Sequence, residues 1–183
     1  MANAKPQVVW DGESTEHSSK GWAECQDKPT CKVSLDSKPS VGRGGSTGLE
    51  FVAKGKQWMG FGWNWFGWWP ADAGTDVSKH EKLRFWLKVT VESGKRKPPP
   101  DAWTVGLVGS SKSGKDATET IHLNDYVQGF LDGEWHEITV PIDQFRHGKG
   151  LTFDFGKTWE LDVGAWSEDD CEYKLYIDDV GFI

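Results

Sequence analysis

Apolar and polar residues alternate with a period of two along several short stretches of the chain. The clearest stretch is Leu83–Val91, in which every odd-numbered residue is apolar. Because successive side chains of a β-strand point to opposite faces, this pattern predicts a strand whose odd positions face a core. The other face carries Arg84, Trp86, Lys88 and Thr90. Trp86 is therefore predicted to stand among polar residues on the solvent side of a sheet.

Glycine and proline punctuate the apolar stretches, and helical periodicity is nearly absent. About nine strands are predicted: Gln7–Trp10, Gly48–Val52, Gln57–Trp65, Leu83–Val91, Trp103–Val108, Glu119–Leu123, Trp135–Val140, Trp159–Val163 and Tyr173–Ile183. The apolar phase of the last strand slips by one residue at Asp178–Asp179, which predicts a bulge there. The pattern predicts an all-β fold, an antiparallel two-sheet β-sandwich or jelly roll.

Five tryptophans lie between residues 57 and 70. In an extended strand one face would carry Met59, Phe61, Trp63 and Trp65, and the other would carry Trp58, Gly60, Gly62, Asn64 and Phe66. Both faces carry rings, so the pattern leaves open which of them is exposed. Trp68 and Trp69 come just before Pro70 and a polar run, which predicts that this pair begins a loop. Two adjacent indoles on a loop are hard to bury.

The composition suggests that some indoles have a use outside the core. The chain has 183 residues, of which 12 are tryptophan and only 10 are leucine. A core that needs only apolar volume normally takes Leu, Ile and Val first. The length suits one domain, which we place at residues 7–183, with residues 1–6 interpreted as linker or added residues.

The net charge narrows the class of partner. At −7 it argues against nucleic acid or an anionic membrane as the main partner. No apolar run approaches the roughly 20 residues of a membrane helix. Residues 1–6 lack the hydrophobic segment of a secretion signal, so location has to be inferred from other features.

Three cysteines give one such feature. Cys25 and Cys31 enclose a short loop that a disulfide would close if the backbone geometry permits, the alternative being two unrelated thiols. Cys171 is interpreted as a buried or idle thiol, not as a nucleophile. The five histidines show no metal-ligand spacing.

An exposed indole offers a flat apolar surface on which a pyranose ring stacks, while nearby polar side chains bond the sugar hydroxyls. Rigid aromatic side chains lose little conformational entropy on binding. The hypothesis is a polysaccharide-binding surface, with the following candidate ligand-binding residues: Trp63, Trp65, Trp68, Trp69, Trp86, Asn64, Arg84 and His122. Two alternatives stay open, namely that all the tryptophans fill the core or that they form a protein-interaction patch.

Several segments together resemble jelly-roll carbohydrate-binding modules of the galactose-binding-like kind, which are attached to secreted bacterial polysaccharide-degrading enzymes. The segments that carry the resemblance are Val8–Ser14 with Gly21–Trp22, Gly44–Phe51, Lys82–Lys88, Asp132–Phe145 and Tyr176–Phe182. Their order and spacing fit this family over most of the chain. The crowding of tryptophan into residues 58–69 departs from the family pattern.

The resemblance implies a secreted, monomeric, non-catalytic module that binds a β-glucan, a cellulose-like chain or a related plant glycan. Its role would be to hold a tethered catalytic domain near its substrate. The resemblance also implies a structural calcium ion where the first and last strands meet, since calcium prefers oxygen ligands. The matching residues are Asp11 or Glu13 and Asp178 or Asp179, with carbonyls near 44–47.

The alternative to a binding module is a small jelly-roll endo-glycanase or polysaccharide lyase. A glycosidase needs two carboxyl groups that face each other across a cleft. With 28 acidic residues such pairs are easy to propose, but none stands out in the strand pattern. The sequence also contains no nucleophile–base grouping or phosphate-binding glycine loop. The sequence therefore favours a binding protein.

Overall fold

The computed structural model describes residues 5–13, 20–66, 74–111, 114–146 and 153–183. These residues form an antiparallel β-fold without an α-helix. The strands are β1 (Gln7–Trp10), β2 (Lys20–Cys25), β3 (Lys32–Lys38), β4 (Gly48–Asn64), β5 (Lys82–Thr90), β6 (Trp103–Ser111), β7 (Gly114–Ala117), β8 (Ile121–His122), β9 (His136–Pro141) and β10 (Thr158–Phe182). No helix in this part of the chain is long and apolar enough to span a membrane.

Two long strands, β4 and β10, bend and take part in both layers of the fold. The backbone of β4 adopts positive φ angles at Gly55 (142°) and Gln57 (63°). Opposite this point, the pairing of β10 shifts between Ser167 and Cys171. Such irregularities bend a strand and re-aim its side chains. The bend folds one hydrogen-bonded sheet into two packed layers.

Sheet A contains β2, residues 58–64 of β4, residues 158–167 of β10, and then β6 with β7 and β8. Sheet B contains β3, residues 48–55 of β4, residues 171–182 of β10, β5 and β9, with β1 at the end of β10. Each sheet has one face toward the core and one outer face. The expected two-sheet β-sandwich is confirmed.

Aromatic pairs join the inner faces of the two sheets. Phe61 of sheet A lies 5.0 Å from Phe51 of sheet B, between ring centroids. Trp103 of sheet A meets Tyr173 of sheet B edge-on at 5.1 Å. Edge-to-face pairs of this kind are favourable beyond the area that they bury. The core therefore contains half of the described tryptophans, which supply volume that leucine does not.

Most predicted strands are present with changed bounds. The strands expected at 48–52 and 57–65 are parts of one strand, β4, which ends at Asn64, and those expected at 159–163 and 173–183 are parts of β10, which ends at Phe182. The sequence did not predict β2, β3 or β7, and the strand expected at 119–123 shrinks to β8. The slip predicted at Asp178–Asp179 is confirmed, because the pairing of β10 with β5 shifts between Asp178 and Gly181.

Candidate functional site

Three indoles stand on the outer face of sheet A, on neighbouring strands. Trp22 lies on β2, Trp58 on β4 and Trp166 on β10, and Trp58 is paired directly with Trp166 in the ladder. The rings of Trp22 and Trp58 are stacked, with centroids 6.4 Å apart and planes inclined by 29°. Trp166 remains 46% exposed. These residues form the Trp22–Trp58–Trp166 platform.

Glycines lie beneath the platform and allow the rings to rest on the backbone. A Cβ atom at Gly60 would lie 2.5 Å from Trp58 Cζ2, and one at Gly164 would lie 2.7 Å from Trp58 Nε1. Both distances are far below van der Waals contact, so only glycine leaves room for the ring. The indole of Trp58 therefore lies across β4 and β10 with its free side directed away from the sheet.

A groove of about 660 Å³ runs beside the platform and is lined by both apolar and polar side chains. Trp58 and Trp166 form one side of it, and Thr104, His122 and Asp101 belong to the other. The Nδ1 atom of His122 lies 2.8 Å from the backbone oxygen of Asp101, which fixes the ring. The arrangement combines flat apolar surfaces with hydrogen-bonding groups along one open channel. The sequence placed His122 outside, and the structure places it on this groove.

Trp63 and Trp65, two of the candidate ligand-binding residues, lie on the buried side of the sheet, and their predicted contact with a ligand is not supported. They are 6% and 3% exposed and belong to the core, because the alternation along β4 turns Met59, Phe61 and Trp63 inward. Trp63 packs edge-on against Trp10 at 5.8 Å. Trp65 packs against Phe182 and donates its indole hydrogen to Thr75 Oγ1 at 3.1 Å.

Asn64 is also buried, although it shares the outer face of β4 with Trp58. Its Oδ1 atom accepts a hydrogen bond from the backbone nitrogen of Phe66 at 2.8 Å. The amide thus closes the turn that follows β4, and its predicted contact with a ligand is not supported by its burial. Trp68 and Trp69 lie outside the described residues.

The other two candidates lie on the opposite sheet. Trp86 and Arg84 occupy the outer face of β5, as the alternation predicted, and both are partly buried. The guanidinium carbon of Arg43 sits 4.1 Å from the centre of the Trp86 ring. That contact covers one face of the ring. Trp86 and Arg84 are therefore separated from the groove by the thickness of the sandwich.

None of the three platform residues was among those predicted to bind a ligand, although the sequence pattern around two of them indicates an exposed ring. On β4, Trp58 shares its face with Gly60 and Gly62, and small residues beside a tryptophan leave space for its ring to lie flat. On β10, continuing the alternation of Leu161 and Val163 past residue 163 places Trp166 outside. Trp22 has no comparable pattern around it.

The four carboxylates predicted to bind calcium are engaged by hydrogen-bond donors. Asp178 accepts a hydrogen bond from the backbone nitrogen of Arg43 at 2.8 Å and another from the hydroxyl group of Ser46 at 2.7 Å. Glu13 accepts from the backbone of Thr47 at 2.6 Å. Asp11 accepts from the backbone nitrogen of Glu13 at 3.0 Å. Asp179 pairs with Arg43 at 3.3 Å.

No group of three or more His, Cys, Asp or Glu side chains in the described part of the chain is placed to hold a metal ion. Calcium stays a prediction of the resemblance. A melting temperature that falls with a chelator and recovers with added calcium would support it.

The cysteines follow the expected assignment. Cys25 and Cys31 form a disulfide with their Cα atoms 6.4 Å apart. Cys171 is a free, buried thiol that donates to Ser167 Oγ at 3.2 Å. Burial raises the pKa of the Cys171 thiol, which disfavours the reactive thiolate.

A β-sandwich with an aromatic platform beside an open groove has the architecture of a carbohydrate-binding module. The sequence model of the family named Carbohydrate binding domain 30 matches residues 5–183. The chain belongs to this family. A search of curated proteins finds no match.

Solved structures show the same fold at low sequence identity. A family 11 carbohydrate-binding module from Clostridium thermocellum, in complex with a β-1,3-1,4-mixed-linked tetrasaccharide, has a TM-score of 0.60 and 16% identity, covering 98% of this chain and 96% of that one. The family 30 module of the C. thermocellum cellulosomal cellulase Cel9D-Cel44B has a TM-score of 0.61 and 16% identity, covering 100% and 94%. A β-1,2-glucanase from Parabacteroides distasonis is also similar, with a TM-score of 0.61 and 15% identity. The similar region includes 96% of this chain but only 24% of the glucanase.

Proposed function

We propose that this carbohydrate-binding domain binds a β-glucan chain along the groove of sheet A, with the sugar rings stacked on the Trp22–Trp58–Trp166 platform. The observation that carries the proposal is the position of these three indoles on adjacent strands of one outer face. Trp58 lies flat over glycines and Trp166 is substantially exposed. A ring supported from below by backbone presents its other face ready for stacking, with little entropy to lose.

The opposite side of the groove supplies hydrogen-bonding groups for the sugar hydroxyls. His122, Thr104 and Thr120 lie next to one another along it. The His122 ring is already held by the carbonyl of Asp101, so its remaining nitrogen is oriented before the ligand arrives. A few well-placed polar groups beside an apolar surface are typical of sites that bind small or extended ligands.

A β-glucan is favoured as the ligand, and a tethered catalytic domain as the partner. The support is the family 11 structure, whose description includes a mixed-linked β-glucan tetrasaccharide, and the family 30 structure, described as part of a cellulosomal cellulase. The Cys25–Cys31 disulfide is consistent with secretion, since disulfides persist in oxidising compartments. As part of a larger secreted enzyme, the module would raise the local substrate concentration of its partner. We propose that it acts as a monomer.

The alternative function, hydrolysis or lyase cleavage of a glycan, would need a pair of carboxyl groups, and a candidate pair lies next to Trp22 of the platform. Glu160 and Asp162 lie on the outer face of β10, two residues apart on the same strand. Two catalytic carboxyl groups flank the scissile bond from opposite sides, whereas these two are neighbours. Glu160 is buried and bonded to Trp22 and Lys115. The geometry favours a structural role for the pair.

Affinity electrophoresis across a panel of soluble polysaccharides tests the proposal. We expect mixed-linkage β-glucan or a soluble cellulose derivative to retard the protein, and an α-glucan of similar size to leave it unretarded. Reducing ends are measured after incubating the same samples. Equal migration in every gel would contradict the binding function, and a steady release of reducing ends would establish the enzyme instead.

A further inference from the structure

A buried carboxylate holds the first ring of the platform. Glu160 is 1% exposed, and its Oε1 atom accepts hydrogen bonds from the indole nitrogen of Trp22 at 3.2 Å and from Lys115 Nζ at 3.0 Å. The Lys115 ammonium also lies 5.9 Å from the centre of the Trp22 ring and 5.4 Å from that of Trp159. The position of Trp22 thus depends on the salt bridge between Glu160 and Lys115.

A second carboxyl group, Asp162, lies beside the first on the same face of β10. Its Oδ1 atom is buried and has no hydrogen-bond partner in the structure. A Cβ atom built on Gly62 would lie 2.6 Å from Asp162 Oδ1 and 2.3 Å from Trp22 Nε1. Asp162 and the Trp22 indole therefore occupy the same small space above Gly62. Asp162 as a whole is partly buried, but an ionised carboxylate there would leave its Oδ1 atom without water or a donor.

The surroundings of Asp162 favour its protonated form. Burial, the charge of Glu160 and a hydrogen bond with Glu160 hold the pKa of Asp162 well above its usual range, and Lys115 opposes them. Two carboxyl groups that share a buried site do not readily ionise together. One proton and one negative charge on the pair would match the single positive charge of Lys115.

We propose that Glu160 and Asp162 form a carboxyl pair that holds one proton and, through the Trp22 indole, makes glycan binding pH-dependent, with release as the proton is lost. The inference rests on the proposed function of the groove. Glu160 and Asp162 are positioning residues in it, since they act on the ligand through Trp22.

Loss of the proton places a second negative charge under the platform. The two carboxylates repel each other, and Asp162 needs water to hydrate its charge. The Trp22 ring closes the space that this water would fill, so hydration of Asp162 displaces the ring from its stacked position beside Trp58. A displaced ring no longer offers its face to the sugar, and affinity falls as the pH rises.

Other charged groups around the pair belong to two neighbouring strands. On β2, Lys20 and Glu24 flank Trp22 on the same face, and both are exposed. On β7, Lys115 is followed by Asp116, which accepts from the backbone of Ala117. Across the ladders, Asp162 faces Gly62 of β4 and Gly106 of β6, and Glu160 faces Asn64 and Val108, all of them uncharged. Lys115 is the charged group among these that contacts Glu160 directly.

The test compares the wild-type protein with Asp162→Asn, which keeps the shape of the carboxylic acid but cannot ionise. Affinity for soluble β-glucan is measured from about pH 5 to about pH 9. Over this pH range we expect the affinity of the wild type to fall by about tenfold, the change that corresponds to a difference of one pKa unit for Asp162 between the bound and the free protein. The affinity of Asp162→Asn should not change with pH. Asp143→Asn, which removes an exposed carboxylate remote from the groove, serves as control and should follow the wild type.

Stability provides a second measurement on the same variant. The folded protein holds the Asp162 proton more tightly than the unfolded chain does. The stability that this protonated carboxyl group contributes is therefore fully present below the ordinary aspartate pKa. It is lost as the pH rises through the pKa of Asp162 in the folded protein. The free energy of unfolding of Asp162→Asn should lack this decline. The Trp22 indole proton, observed by NMR in the wild type, should shift over the same pH range in which affinity falls.

Parallel pH profiles for the wild type and Asp162→Asn, or a Trp22 indole signal that does not titrate, would overturn the proposal. If Asp162→Asn does not fold, the wild-type NMR titration alone decides the question. Failure of the proposed function looks different. In that case neither protein binds β-glucan at any pH, whereas failure of the carboxyl-pair proposal leaves β-glucan binding intact without its pH dependence.

Discussion

Replacing Trp58 by alanine is expected to weaken β-glucan binding by about 2–3 kcal/mol, roughly 30- to 150-fold, as for aromatic residues at the centre of an interface. Trp58 stands between Trp22 and Trp166, so its loss divides the platform into two isolated rings. The fold should tolerate the change, because the ring lies over Gly60 and Gly164 on the outer face and its removal opens no cavity in the core. Isothermal titration calorimetry with a soluble β-glucan measures the affinity, and the melting temperature reports on the fold.

Trp86→Ala is the matched control for Trp58→Ala. Trp86 is also a partly buried tryptophan in the middle of a strand, but it lies on sheet B under the guanidinium of Arg43. Its removal should leave the affinity within about twofold of the wild type, the usual effect of a residue outside the interface. If Trp86→Ala abolished binding while Trp58→Ala retained it, the ligand would bind on sheet B, where the sequence analysis placed part of the site.

The local alternation of residues was enough to predict which side of a strand faces the core. In Leu83–Val91 the odd positions are buried through Val89, and Trp86 stands on the outer face as expected. Around β4 the pattern correctly placed Met59 and Phe61 on the same face as Trp63. It did not indicate whether this face or the face of Trp58 points to the core. That choice depends on the packing of a second sheet, which the local sequence does not contain.

Which strands lie side by side could not be predicted, and this limits the prediction of the site. Trp22, Trp58 and Trp166 come together because β4 pairs with β2 on one side and with β10 on the other. The β4–β10 pairing places Trp58 opposite Trp166, and the β2–β4 pairing places Trp22 opposite Gly62; both join residues that are distant along the chain. The bend at Gly55 also looked like a gap between two strands, since glycine interrupts the apolar pattern there. The sequence therefore predicted a tryptophan-lined surface but assigned to it Trp63 and Trp65, which are buried.

Replacing Trp103 by alanine is expected to lower the stability of the whole domain. Its ring is 1% exposed, lies edge-on to Tyr173 and Phe130 at 5.1 and 6.2 Å, and donates to the carbonyl of Pro98 at 3.3 Å. Truncation of a buried tryptophan typically costs about 3–5 kcal/mol, because it leaves a cavity between the sheets. For a domain of this length the melting temperature should fall by roughly 6–20 °C.

The exposed Trp166 provides the comparison for Trp103, since both lie in sheet A. Trp166→Ala should shift the melting temperature by only about 1–2 °C, as is usual for surface substitutions, yet weaken glycan binding. Trp103→Ala, studied well below its melting temperature, should bind β-glucan nearly as well as the wild type, because Trp103 does not line the groove. The two variants thus separate the tryptophans that hold the sandwich together from those that meet the sugar. An unchanged melting temperature for Trp103→Ala would show that the contact between Trp103 and Tyr173 does not stabilise the packing of the two sheets.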